Sequence, residues 1–184
     1  MPDDIVIRNC SPVLASLKTG SIFTYRHKSR GELLDSLRRL NRLLSGKGVR
    51  AIPLRIGSES SIIYLYRAGR LRRDLSDGTA RNILGAFGYG GQSAERDVVR
   101  LIGRIRESDS FPHEIGLFLG YPPSDVLGFI EGREDDCKLV GAWKVYSDEE
   151  AAKKKFSLYK KASELYLRRH AGGVSIEDLT VKSI

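Results

Sequence analysis

Three residues of this chain have the types needed for a nucleophilic relay: Cys10, His113 and Glu114. A cysteine attacks as its thiolate, which needs a nearby base. An imidazole base in turn needs an acceptor to orient it. Cys10 precedes Ser11-Pro12, a turn signal that could expose a thiol. The plainer alternative makes Cys10 a small core residue, His113 a helix cap and Glu114 a counter-charge to a helix dipole. No local signature of a cysteine-enzyme family accompanies the three, so the plainer alternative is the expectation. A metal would have to recruit Cys10, Cys137, His113 and Glu114, and no CxxC, HxxxH or HExxH spacing supports one. No metal site is expected, and the residues name no cofactor.

A second chemistry is ligand binding. Tyr121, Trp143 and Tyr146 could line a pocket for a flat molecule, with Lys18, Asp125 and Lys144 as polar groups. Strand alternation puts Trp143 and Val145 on one face and Ala142, Lys144 and Tyr146 on the other, so one set is half exposed. Gly88-Tyr89-Gly90-Gly91 before a helix invites a phosphate-loop reading. It lacks both the Walker and the dinucleotide spacing, and it follows a helix, so it is expected to be an interhelix loop. Arg96, Arg100 and Arg104 recur every four residues and are expected to form an ordinary solvated face.

The elements that position these residues centre on Phe111–Ile130. This stretch reads as two short helices joined at a Gly120-Tyr121-Pro122-Pro123 corner. Pro112 and Glu114 suit the start of the first helix, and Ile115, Phe118 and Leu119 share a face. Val126, Phe129 and Ile130 make the second apolar face, leaving Ser124, Asp125 and Glu131 to solvent. An acidic start on the second helix argues against docking in a DNA major groove. Elsewhere, Ser21–Arg26 reads as a strand, and Val49–Ile56 with Ser61–Arg67 as a hairpin whose Pro53 marks an edge. Ser29 and Glu32 form a capping box for a helix with Leu33, Leu37, Leu40 and Leu44 on one face. Helices are also expected over Thr79–Phe87 and after Ser93. Lys138–Tyr146 is the best strand in the chain. Ser147 and Glu150 cap a long helix ending at Gly172-Gly173, and Ile176 and Leu179 dock the tail.

The chain has 184 residues, 41% hydrophobic, which fits one domain with a real core. No run approaches a membrane span, the first residues carry acids where a secretory signal carries Lys or Arg, and two cysteines make no disulfide framework. A cytoplasmic protein with reduced thiols is expected. The net charge of +8 is unevenly spread: residues 26–106 hold 18 Lys/Arg and 7 Asp/Glu, and residues 107–150 hold 3 and 11. Arg38, Arg39 and Arg42 could touch nucleic acid nonspecifically, but neutralisation between blocks is the expectation, and specific DNA binding is not expected.

Several blocks together resemble a family. Phe111-Pro112-His113-Glu114-Ile115-Gly116, Phe118–Pro122, Asp125-Val126, Gly128-Phe129-Ile130 and Trp143–Tyr146 after Gly141 match an FPHEIG-x-FLGYP-x-x-DV-x-GFI and G-x-WKVY pattern. Cys10-Ser11-Pro12, Leu14-Ala15, Lys18, Tyr66-Arg67 and Leu71 extend the match to the rest of the chain. The chain resembles the uncharacterised bacterial domain-of-unknown-function family 3793. Thr19-Gly20 departs from the Pro-Ala that relatives often carry. The resemblance brings no assigned activity and implies at best a loose redox or iron setting.

The expectation is therefore an α+β fold, a single domain over 1–184 with roughly four strands in a mixed or antiparallel sheet packed by helices. The function expected is a cytoplasmic small-molecule- or protein-binding accessory module, with its pocket near the Phe111–Tyr121 corner. The alternatives are a cysteine-dependent enzyme using Cys10 and His113, and a basic nucleic-acid-associated protein.

Overall fold

A computed structural model of the chain describes residues 1–182 apart from 92 and 109. The fold is α+β, with its described strands in two separate antiparallel sheets rather than one. Packing divides the chain into two compact units, Met1–Gly69 with Tyr159–Ile184, and Arg70–Leu158. No described helix is long and apolar enough to cross a membrane.

The first unit begins with helix α1 (Asp3–Leu14), which the sequence reading missed because Pro12 looks like a break. Pro12 lies in the last turn. The donor it lacks would have served the carbonyl of Arg8, an exposed residue, so the helix tolerates it. Strand β1 (Gly20–Arg26) then leads to helix α2 (Arg30–Leu44). Ser29 accepts the N–H of Glu32 as expected. The Glu32 carboxylate reaches past Ser29, accepting the Lys28 N–H at 2.9 Å and the Tyr25 hydroxyl at 2.8 Å. Leu33, Leu37, Leu40 and Leu44 are buried along α2 as their spacing requires. A single 3-10 turn at Ser45–Lys47 ends at Gly48, where φ is +81°.

Strands β2 (Val49–Ile56) and β3 (Ser60–Arg67) form the expected hairpin, and the sheet order is β1-β3-β2. Pro53 does sit on an edge strand, and the register slips between Pro53 and Arg55. The edge is blunted at Ala51, whose N–H and C=O both bond the side-chain amide of Asn41 at 2.8 Å. The core joins Val6, Ile7, Cys10, Val13 and Leu14 to the α2 leucines, Phe23, Tyr25, Ile63 and Leu65. Tyr166, Ile176 and Leu179 complete it from the far end of the chain. At its centre lies Arg67, fully buried, which donates to the carbonyls of Val13, Leu14, Lys47 and Val181. The first two lie at the negative end of α1, where a guanidinium is favoured.

The second unit holds most of α3 (Ala68–Leu75), then α4 (Gly78–Ala86), α5 (Ala94–Glu107), α6 (Ile115–Phe118) and α7 (Pro123–Ile130). Asp77 and Ser93 cap α4 and α5. The expected strand over Lys138–Tyr146 is instead a hairpin of two-residue strands, β4 (Leu139–Val140) and β5 (Lys144–Val145). The chain turns at Gly141, where the Phe156 ring leaves no room for a side chain: a Cβ there would sit 2.2 Å from the ring. Helix α8 (Glu149–Ala171) contributes to both units, and Asp148, one residue later than expected, caps it by accepting the Ala151 N–H. Gly173 (φ +92°) ends α8, and Ile176–Leu179 forms the short α9 that docks the tail.

Candidate functional site

The corner is built around Gly120, whose φ of +77° lets the chain leave α6 and turn through Tyr121 and Pro122 into α7. Helix α6 is one turn long and starts at Ile115, so Pro112, His113 and Glu114 precede it rather than open it. Glu114 is no solvated counter-charge. It is fully buried, and its Oε1 accepts the Arg104 Nε–H at 2.5 Å and the Tyr89 hydroxyl at 2.9 Å. Burial raises the Tyr89 phenol, and the adjacent Glu114 charge raises it further. The Arg104 guanidinium also lies 5.1 Å from the centre of the Phe87 ring. The arginine row is thus split by role: Arg104 is half-buried, while Arg96 and Arg100 are exposed around a small recess with Gly88, Gly90, Gly91 and Asp97.

Asp125 is the second correction. It was expected in solvent on α7, and it is 2% exposed. Its Oδ2 accepts the Trp143 indole N–H at 2.7 Å, and its Oδ1 accepts the backbone N–H groups of Tyr146 at 2.9 Å and Ser147 at 2.7 Å. Burial alone would raise this carboxyl, but the bonds from Ser147, Tyr146 and Trp143 together hold it below its usual value. One side chain on α7 thereby anchors β5 and the approach to α8. The close approach is completed at Gly128, where a Cβ would come within 2.8 Å of the Tyr146 ring. The face of α7 is accordingly turned from the one expected: Asp125, Val126 and Gly128 go inward and Phe129 is exposed.

Between these elements lies a cavity of about 410 Å³, wholly within the second unit. Phe111, Pro112 and His113 contribute from the segment before α6, and Ile115 and Gly116 from α6 itself. Tyr121, Val126 and Phe129 contribute from the corner and α7, and Trp143 and Lys144 from the hairpin, with Asp125 behind them. Its aromatic groups are already paired with one another. Tyr121 stacks on Trp143 at 5.0 Å, His113 tilts against Phe129 at 5.0 Å, and Phe156 meets Trp143 edge-on at 4.6 Å. Phe111 and Phe129 remain partly open to solvent. Lys144 holds its ammonium 5.5 Å from the Phe129 ring centre and 2.8 Å from the carboxylate of Glu134. That hydrogen bond raises Lys144 and lowers Glu134.

Of the ligand residues expected from sequence, Tyr121, Asp125, Trp143 and Lys144 line this cavity. Tyr146 packs beneath it against Gly128, buried, with its hydroxyl lacking a hydrogen-bond partner among the described residues. Lys18 belongs to the first unit, beside Cys10, and burial lowers its ammonium to about 8. Cys10 is fully buried in the core of that unit, and burial pushes its thiol well above the ordinary range. His113 and Glu114 belong to the second unit. Phe111, Pro112, Ile115, Gly116, Val126 and Phe129 also line the cavity and were not singled out as ligand residues. Among them Phe129 was assigned to the core by apolar periodicity, and the structure exposes it. Among the described residues no cluster of three or more His, Cys, Asp and Glu could hold a metal ion.

Neither a curated protein nor a solved structure matches the chain. A family model does match, over residues 6–180 and therefore across both units, and it takes in every residue that lines the cavity. The chain belongs to the family described as protein of unknown function (DUF3793).

Proposed function

We propose that this protein is a small-molecule-binding module and that the cavity beside the corner is its ligand site. The observation that carries the reading is the combination of shape and lining. A cavity of about 410 Å³ is within the range of small-molecule sites, and it is walled by aromatic and aliphatic side chains with a few polar groups. Its framework is set by buried bonds, Asp125 to three donors, so the walls stand ready without a ligand. Two free cysteines, one buried and one half-buried, support a reducing, cytoplasmic setting. The cysteine-enzyme reading needs an accessible thiolate, and the burial of Cys10 opposes it.

Trp143 is the one tryptophan of the chain and part of the cavity wall, so its emission reports occupancy. The neutral dye N-phenylnaphthylamine should bind saturably, quench Trp143 by energy transfer and raise the melting temperature. Phe129→Ala, which removes a partly exposed wall and leaves the Asp125 bonds in place, should weaken binding about tenfold, the effect of losing roughly 1.4 kcal/mol of apolar contact. Absence of saturable transfer in the parent protein would refute the ligand site.

A further inference from the structure

We propose that the ligand is an anion: a flat, largely apolar molecule carrying one acidic group, which Lys144 receives after releasing Glu134. This rests on the reading of the cavity as a ligand site. Among the described residues that line the cavity, two carry fixed charge, Asp125 and Lys144, and they are not equally available. Asp125 has both oxygens occupied by three internal donors and is almost fully buried. Its burial leaves little of it open to an incoming cation, and drawing it from its donors would dismantle the wall.

Lys144 is in the opposite position. An ammonium has three N–H groups, and the one acceptor it contacts among the described residues is Glu134. That partner is a loose one: its side chain is 77% exposed, and the Lys144 side chain is 35% exposed. A bridge so open to water contributes little and is readily exchanged. The ammonium nevertheless stays at the lining, over the Phe129 ring. An acidic group at the mouth would find an ammonium whose position is already set and whose present partner is weakly held. Meanwhile the apolar body would lie among Phe111, His113, Tyr121 and Trp143. A cation would gain the aromatic faces but would meet Lys144 already in place, a like charge among the lining residues.

A matched pair of dyes tests this. Anilinonaphthalene sulfonate and N-phenylnaphthylamine share one aryl system and differ by the anionic group. Energy transfer from Trp143 reports bound dye, and the weakening of that signal in Phe129→Ala assigns the dye to the cavity. The anionic dye should bind about tenfold more tightly than the neutral one, the scale of one charge-assisted hydrogen bond. Lys144→Met should bring that ratio close to one, and Glu134→Gln, at a highly exposed side chain that the fold does not need, should raise it. Lys154→Met, exposed on α8 and outside the cavity, should leave the ratio as it was. Equal affinities in the parent protein, a ratio that survives Lys144→Met, or one that fails to rise in Glu134→Gln would overturn the anion assignment while leaving the cavity as a ligand site. Failure of both dyes to bind would overturn the site itself.

Discussion

Asp125 shows how partners distant in sequence set a side chain's environment. It lines the cavity and is buried, because its donors come from residues 18, 21 and 22 positions along the chain. Nothing local to α7 announces backbone N–H groups that distant. Glu114 fails to be legible for the same reason, since Arg104 and Tyr89 reach it from 10 and 25 positions away. Asp125→Asn puts an NH2 group against a donor in place of a carboxylate oxygen, and should destabilise the second unit by about 2 kcal/mol. The pH dependence has a definite sign. The folded carboxyl lies below its ordinary value, so its contribution is complete above that ordinary value and is lost as pH falls below it. Denaturant titrations followed by Trp143 emission should show this acid limb in the parent and a flatter one in Asp125→Asn. Equal stabilities at neutral pH would mean that the three bonds carry no net weight.

At the scale of elements, periodicity and punctuation were sufficient to locate β1, α2, the β2–β3 hairpin, α4, α5 and α8, with the cap of α8 displaced by one residue to Asp148. They were insufficient wherever a contact from elsewhere overrode the local signal. Lys138–Tyr146 has every propensity of a strand, yet it is a hairpin that turns at Gly141, the residue on which the Phe156 ring packs. Pro12 resembles a stop, and α1 runs through it because the core needs Val13 and Leu14. The corner is the opposite case, legible because its requirement is local. Gly120 has the left-handed φ that its place after α6 demanded, and Gly120→Ala should cost about 1 kcal/mol in thermal or denaturant unfolding. An unchanged midpoint would show that the turn tolerates a Cβ. Since Tyr121 follows directly, the same variant should alter its stacking on Trp143 and so the emission of the folded protein.

For the molecule as a whole, the charge blocks and the packing units do not share boundaries. The acidic block of residues 107–150 lies entirely in the second unit, which also holds Arg72, Arg73, Arg81, Arg96, Arg100, Arg104 and Arg106. Neutralisation inside that unit is visible in two pairs: Arg104 meets Glu114 across the two blocks, whereas Arg81 meets Asp97 within the basic one. The interrupted first unit has a consequence in time. Arg67 holds the Val181 carbonyl, Val181 donates its N–H to Leu14, and Ile176 and Leu179 fill the core laid down by α1 and α2. A ribosome adding about 5–20 residues per second finishes residues 70–158 before it supplies these pieces. The half of the protein begun first is therefore expected to become protease-resistant last. Chains arrested after residue 158 has emerged should protect fragments from 70–158 while residues 1–69 are still digested. Equal protection of the two segments at that point would show that α1, α2 and the sheet hold together without the returning chain. Until residue 181 emerges, the nascent first unit lacks the side chains of Tyr166, Ile176 and Leu179 that complete its core, so it is expected to engage a chaperone waiting at the exit tunnel.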